Sequence, residues 1–154
     1  MKRFCVILLS LALIVLSTAA RAACTVSATP VSFGSYNVFN ASPLDATGTI
    51  TVQCTGLVGL LVSYNIKLST GLSGSYAPRQ MASGANRLNY NLHTAATRLN
   101  VWGDGSAGTS FVSNSILLVL FGVTVNHTVY GRVPALQNVA VGSYSDSITV
   151  TLTF

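Results

Sequence analysis

Ile148-Thr149-Val150-Thr151-Leu152-Thr153-Phe154 alternates apolar and hydroxyl side chains without a break. Successive side chains of a β-strand point to opposite faces, so this pattern predicts a half-buried strand. Ile148, Val150, Leu152 and Phe154 would face the core, and the threonines would face solvent. The same period recurs upstream. Gly48, Ile50, Val52 and Cys54 alternate with Thr47, Thr49, Thr51 and Gln53; Tyr64, Ile66 and Leu68 alternate with Ser63, Asn65, Lys67 and Ser69. Leu88, Tyr90 and Leu92 alternate with Asn89, Asn91 and His93. Turn-rich stretches at 40–43, 71–78, 103–109 and 142–146 separate these segments, and no helical apolar period of useful length intervenes. Many short alternating strands predict an all-β chain, an antiparallel β-sandwich of one domain.

Composition narrows the class further. Of 154 residues, 50% are hydrophobic and only 7% are charged. Disorder requires the opposite balance, and a polytopic membrane protein requires several apolar runs of about 20 residues. The longest such run, Phe4–Leu16, follows Lys2 and Arg3 and precedes the small residues Ser17–Ala23. That order describes a secretory leader, and Ala20-Arg21-Ala22 fits its cleavage pattern. The expected division is a signal peptide over 1–22 and one domain over 23–154, with no stable membrane span after cleavage. The formal charge of +5 then falls to +2, because five basic residues (Lys67, Arg79, Arg87, Arg98, Arg132) face three acidic ones (Asp45, Asp104, Asp146). The basic excess resides mainly in the leader and gives no basis for nucleic-acid binding.

Removal of the leader also removes Cys5 and leaves Cys24 and Cys54. Two cysteines in an exported chain most simply form one disulfide. Such a bridge stabilises by roughly 3–4 kcal/mol on the chain-entropy model. A lipidated Cys24 would call for an apolar residue three positions earlier, where Arg21 stands. Alternation puts Cys54 on the face of Ile50 and Val52, and Cys24 on the face of Val26. The bridge is therefore expected to pin the first strand to its neighbour from the core side.

Residues for chemistry are sparse. Gly103-Asp104-Gly105-Ser106-Ala107-Gly108 has the letters of a dinucleotide loop, but no helix pattern follows and no acid appears before Asp146. His93 and His127 are isolated, and His93 falls on the polar side of its strand, which predicts a solvated imidazole. The three carboxylates are scattered over turns, where Asp104 and Asp146 would shape the backbone. No catalytic, cofactor or metal residues are expected. A β-sandwich hydrolase acting on surface polymers is disfavoured for want of paired acids and histidines.

Cys24-Thr25-Val26 and Val31-Ser32-Phe33-Gly34-Ser35-Tyr36 resemble the start of a spore coat protein U domain. Leu68-Ser69-Thr70-Gly71, Arg79-Gln80-Met81, Leu88-Asn89-Tyr90-Asn91-Leu92 and Val101-Trp102-Gly103-Asp104-Gly105 continue the resemblance, in order. Val129-Tyr130-Gly131-Arg132-Val133-Pro134 and Gly142-Ser143-Tyr144-Ser145-Asp146 complete it. The resemblance implies a secreted subunit of an archaic chaperone–usher pilus, with an immunoglobulin-like sandwich that lacks its last strand. A periplasmic chaperone would lend that strand, an outer-membrane usher would assemble the fibre, and another subunit would replace the strand. Ile148, Val150, Leu152 and Phe154 would then line the accepting groove. With only Ala23 ahead of Cys24 in the mature chain, no donor extension is expected, which suits a terminal subunit.

Two apolar runs depart from the family pattern, residues 57–62 and 116–125. Either they are buried strands, or Leu57, Val58, Leu60, Leu61, Leu117, Leu118, Leu120 and Phe121 form adhesive loops that attach cells to surfaces in biofilms. A self-complete extracellular surface or spore-coat protein is the alternative to a pilus subunit.

Overall fold

The computed structural model describes residues 22–56, 58–119 and 122–154. Alternating stretches rich in Thr, Val and Tyr become strands because β-branched and aromatic side chains fit a pleated, half-buried surface. The strands are β1 (Ala23–Thr29), β2 (Leu44–Thr55), β3 (Leu61–Leu68), β4 (Arg79–Ser83), β5 (Asn86–His93), β6 (Val112–Leu117), β7 (Gly122–Val133) and β8 (Val150–Thr153). All pairings between them are antiparallel. One sheet has the order β1-β2-β7-β5-β4, and the facing sheet has the order β6-β3-β8. The predicted all-β, immunoglobulin-like sandwich is the architecture observed. Among the described residues, no helix is long and apolar enough to cross a membrane.

Register follows the hydrophobic phase. Ile50, Val52 and Cys54 of β2 and Tyr64, Ile66 and Leu68 of β3 are buried between the sheets. A slip of one residue would turn each set outward, so the phase fixes the pairing. Cys24 and Cys54 are register partners on β1 and β2 and are joined by a disulfide, as the alternation predicts.

Residues 101–103 join the two sheets. The Trp102 N–H donates to Leu92 O of β5 at 2.8 Å, and Leu68 N of β3 donates to Gly103 O at 3.1 Å. Trp102 is fully buried, and its indole N–H donates to Ile66 O at 2.9 Å. Arg79 lies beside it, also at 0% exposure. A buried guanidinium is costly unless its donors are used. Here Nε and Nη2 donate to Ser69 O at 3.0 and 2.8 Å, Nη2 also donates to Trp102 O at 2.6 Å, and Nη1 donates to Asn91 Oδ1 at 2.9 Å. The Tyr76 ring covers the guanidinium at 4.9 Å.

The last strand is shorter than its alternation suggests. Pairing with β3 runs from Val150 opposite Leu68 to Thr153 opposite Asn65. Ile148 precedes it outside the ladder, and Phe154 follows the last pair at 71% exposure. Phe154 thus departs from the predicted inward set, because the ladder ends before it.

Replacing Cys54 by Ala should cost about 2–5 kcal/mol and lower the yield of folded protein. The native protein should show no free thiol other than that of Cys5, where the leader is retained, until it is denatured and reduced. Thiol titration before and after reduction checks this, and two reactive thiols in the oxidised mature protein would contradict it.

Candidate functional site: an open groove and an apolar pole

Gly48 and Gly131 are buried on the inner face of the larger sheet, on the adjacent strands β2 and β7. A Cβ on Gly48 would stand 2.9 Å from Val31 Cγ2, and one on Gly131 would stand 2.6 Å from Val31 Cγ1 and 2.7 Å from Phe33 Cζ. The absent side chains leave a depression that receives Val31 and Phe33. The segment after β1 is thereby held against the sheet without belonging to it. Among the described residues, the main chain of 30–36 makes no backbone hydrogen bond.

Opposite this segment run residues 139–149, which lead into β8. Ser145 and Ala82 exchange both backbone hydrogen bonds, at 2.8 and 3.0 Å, tying the segment to the edge strand β4. Asp146 shapes its end as expected of a turn carboxylate. It accepts from Leu72 N at 2.8 Å, Ser147 N at 2.7 Å and the Tyr90 hydroxyl at 2.6 Å. Burial, together with that bond to Asp146, pushes the Tyr90 phenol up and keeps it a donor.

Between the two segments lies a groove of about 1280 Å³. Its walls are Ala28–Val38 and Val139–Ile148 with Val150, and Ile50, Leu68, Leu88, Tyr90, Leu92 and Val129 contribute to its floor. β8 pairs with β3 on one side only, so its other edge faces this opening without a strand among the described residues. Of the residues predicted to line a groove, Ile148 and Val150 do so. Leu152 is half-buried and packs on the core further along β8, and Phe154 is exposed. Sequence reasoning pointed to β8 and not to the segment after Pro30. The signal for the second wall was present in Val31 and Phe33, which alternate with serine and glycine after Pro30.

The two apolar runs meet at the far end of the sandwich. Leu61 and Leu117 are register partners, Leu118 N donates to Leu60 O at 2.9 Å, and Gly59 N donates to Leu118 O at 2.7 Å. The runs are buried in part and exposed in part. Val62, Ile116 and Leu118 are buried, whereas Val58, Leu61, Leu117 and Val119 are 53–63% exposed and Leu60 stands at the margin. Leu118 is therefore a core residue and not part of an exposed loop, because it points between the sheets. Leu57, Leu120 and Phe121 lie outside the described residues.

His93 differs from the solvated reading. His93 is only 8% exposed, and its Nδ1 has no partner among the described residues. His127 Nε2 lies 2.9 Å from the Tyr64 hydroxyl, across the gap between sheets. The Asn114 amide donates to the same hydroxyl oxygen at 3.1 Å, so the Tyr64 hydroxyl joins Asn114 of β6 to His127 of β7. Burial lowers both histidine pKa values. At this position the connection 94–101 turns back beside β5, Val101 bridging to His93, an arrangement that alternation alone does not reveal. Among the described residues, no group of three His, Cys, Asp or Glu side chains could hold a metal.

The sequence pattern of the Spore Coat Protein U domain matches residues 10–151. Protein U of Myxococcus xanthus is 37% identical over 138 residues, covering 80% of this chain and 71% of that protein. Among solved structures, the chain is similar to a chain of the CsuC–CsuE chaperone–tip adhesion subunit pre-assembly complex. That complex comes from the archaic chaperone-usher Csu pili of Acinetobacter baumannii, and the match has a TM-score of 0.57 at 21% identity. It covers 87% of this chain and 40% of that one, so the chain spans less than half the length of its structural neighbour. At that identity the likeness establishes a common fold.

Acid should destabilise the protein through its histidines. Their folded pKa values lie below 6.5, so the unfolded chain takes up protons first as pH falls. Their stabilising contribution is complete above about pH 6.5 and declines below it. Urea midpoints at pH 7.5 and 5 should show the loss, and His127→Gln should reduce it. Equal midpoints at the two values would contradict the assignment.

Proposed function

We propose that this chain, which belongs to the Spore Coat Protein U domain family, is a non-enzymatic, exported subunit of an archaic chaperone–usher pilus. The observation that carries the reading is the groove beside β8. An extended strand entering it would meet unpaired main chain on both walls, the free edge of β8 on one side and residues 30–36 on the other. Its alternate side chains would descend onto Leu68, Tyr90 and Val129 at the floor. Strand addition works in this way: backbone ladders supply affinity, and pockets for alternate side chains supply register.

The donor is first a periplasmic chaperone and then another pilus subunit, with an outer-membrane usher catalysing the exchange. The exposed Val58, Leu61, Leu117 and Val119 support an adhesive, terminal position in the fibre, with biofilm attachment as its consequence. No cofactor enters this function, which consists of binding and assembly at the cell surface.

Expressed alone in a periplasm, the domain should aggregate or be degraded. With its cognate chaperone it should form a soluble one-to-one complex. Val150→Asp places an unpaired charge in the groove and should abolish that complex. Leu152→Asp, at the half-buried position on the same face, should do the same. Thr151→Ser, on the outer face, should leave it intact. A stable monomer obtained without chaperone, or a V150D variant that still forms the complex, would refute the open-groove reading.

A further inference from the structure

We infer that residues 30–36 are the movable wall of the groove, and that Gly131 is the positioning residue that keeps this wall back far enough to admit a strand. The inference rests on the open-groove reading and adds what sets the groove's width. The two walls are held differently. On the β8 side, the ladder with β3 runs from Val150 to Thr153, Ser69 N donates to Thr149 O at 3.0 Å, and Ser145 and Ala82 exchange both bonds. The opposite wall is tethered at its ends. Thr29 pairs with Thr49 in the β1–β2 ladder, and the Tyr36 hydroxyl donates to Pro134 O at 2.9 Å and accepts from Gln137 N at 2.8 Å. Between these tethers the wall can shift without breaking a backbone hydrogen bond among the described residues. Gly34, at φ +71° with open space where a Cβ would stand, supplies the bend.

Two side chains in a notch seat this wall. Val31 straddles two strands, with Cγ1 2.6 Å from the Cβ position of Gly131 on β7 and Cγ2 2.9 Å from that of Gly48 on β2. Phe33 reaches the same notch, its Cζ 2.7 Å and Cε1 2.9 Å from the Gly131 position, and meets the Tyr90 ring edge-on with centroids 6.0 Å apart. Val31, Phe33 and Tyr90 all line the groove. The three atoms nearest a methyl at 131 belong to Val31 and Phe33, and β7 is laddered to β2 and β5 on its two sides. The wall therefore yields before the sheet does. Valine is stiff at χ1, so lifting its methyls lifts the backbone with them. Raised from the notch, Val31 and Phe33 take the space that the alternate side chains of an incoming strand need.

The test co-expresses each variant with the cognate chaperone and measures the complex recovered through a tag on the chaperone. Gly131 has no left-handed φ, so Gly131→Ala tests the methyl and not the backbone. It should lower recovery about tenfold, the scale of an overpacked site. Gly122→Ala, also on β7, would meet Thr55 Cγ2 at an ordinary 3.4 Å and should leave recovery unchanged. Adding Val31→Ala and Phe33→Leu to Gly131→Ala deletes the three crowding atoms and should restore most of the complex. Both additions also delete apolar packing, so if Gly131 served the fold alone they would deepen the loss. Wild-type recovery with G131A would overturn the inference and leave the open groove standing, and so would a triple variant no better than G131A. A wild-type domain that is stable and monomeric without chaperone would remove the open-groove reading, and this inference with it.

Discussion

A sheet of three strands cannot cover the inner face of a sheet of five, and the rest of the structure is arranged around that mismatch. Where β8 is the last strand of the smaller sheet, apolar side chains of β2, β5 and β7 lack a complete roof. Two costs coincide there. Apolar surface remains in reach of water, and a strand edge presents backbone donors and acceptors without partners. Residues 30–36 relieve part of the first cost by packing Val31 and Phe33 over Gly48 and Gly131, but they leave their own main chain unpaired. The defect is shaped like the strand that would repair it.

The rest of the molecule keeps that defect from collapsing. A sandwich held only by apolar contact could slide its sheets together over the opening. Here polar bonds fix their separation at several points. Trp102 and Gly103 bond to β5 and β3, Arg79 gathers carbonyls from Ser69 and Trp102, and Tyr64 reaches His127 on the facing sheet. Each group is buried or half-buried, so losing one partner would leave the other unsatisfied at a cost of about 1–3 kcal/mol. These bonds set geometry more than they add stability. The Asp45 carboxylate, by contrast, holds Arg132 through two bonds at 2.7 and 2.8 Å in an exposed position, where such pairs contribute little.

Period-two patterning made the strands, the register and the disulfide legible in the sequence, because a buried face leaves its mark at every second residue. It failed where something other than a strand covers a face. His93 sits on the polar side of β5 yet is buried, at the point where the connection 94–101 turns back beside the strand. Arg79 appeared only within a family motif; its burial depends on carbonyls and a ring distant in sequence. Phe154 continues the alternation but outruns the ladder, because β3 pairs with β8 only as far as Thr153. The groove's second wall has apolar residues in phase but no ladder to announce it.

The two unusual surfaces lie at opposite ends of β1, and this placement gives them independent roles. Ala23 starts at the apolar pole, and the segment after Thr29 becomes a wall of the groove. Seven strand residues separate the ends by roughly 23 Å. The disulfide locks β1 to β2 at the pole, so strand insertion at the other end need not disturb the turns around Val58 and Val119. The groove and the exposed pole thus lie at the two ends of one strand. The pole's exposed valines and leucines stand on turns held by backbone bonds, Leu118 N donating to Leu60 O and Gly59 N donating to Leu118 O.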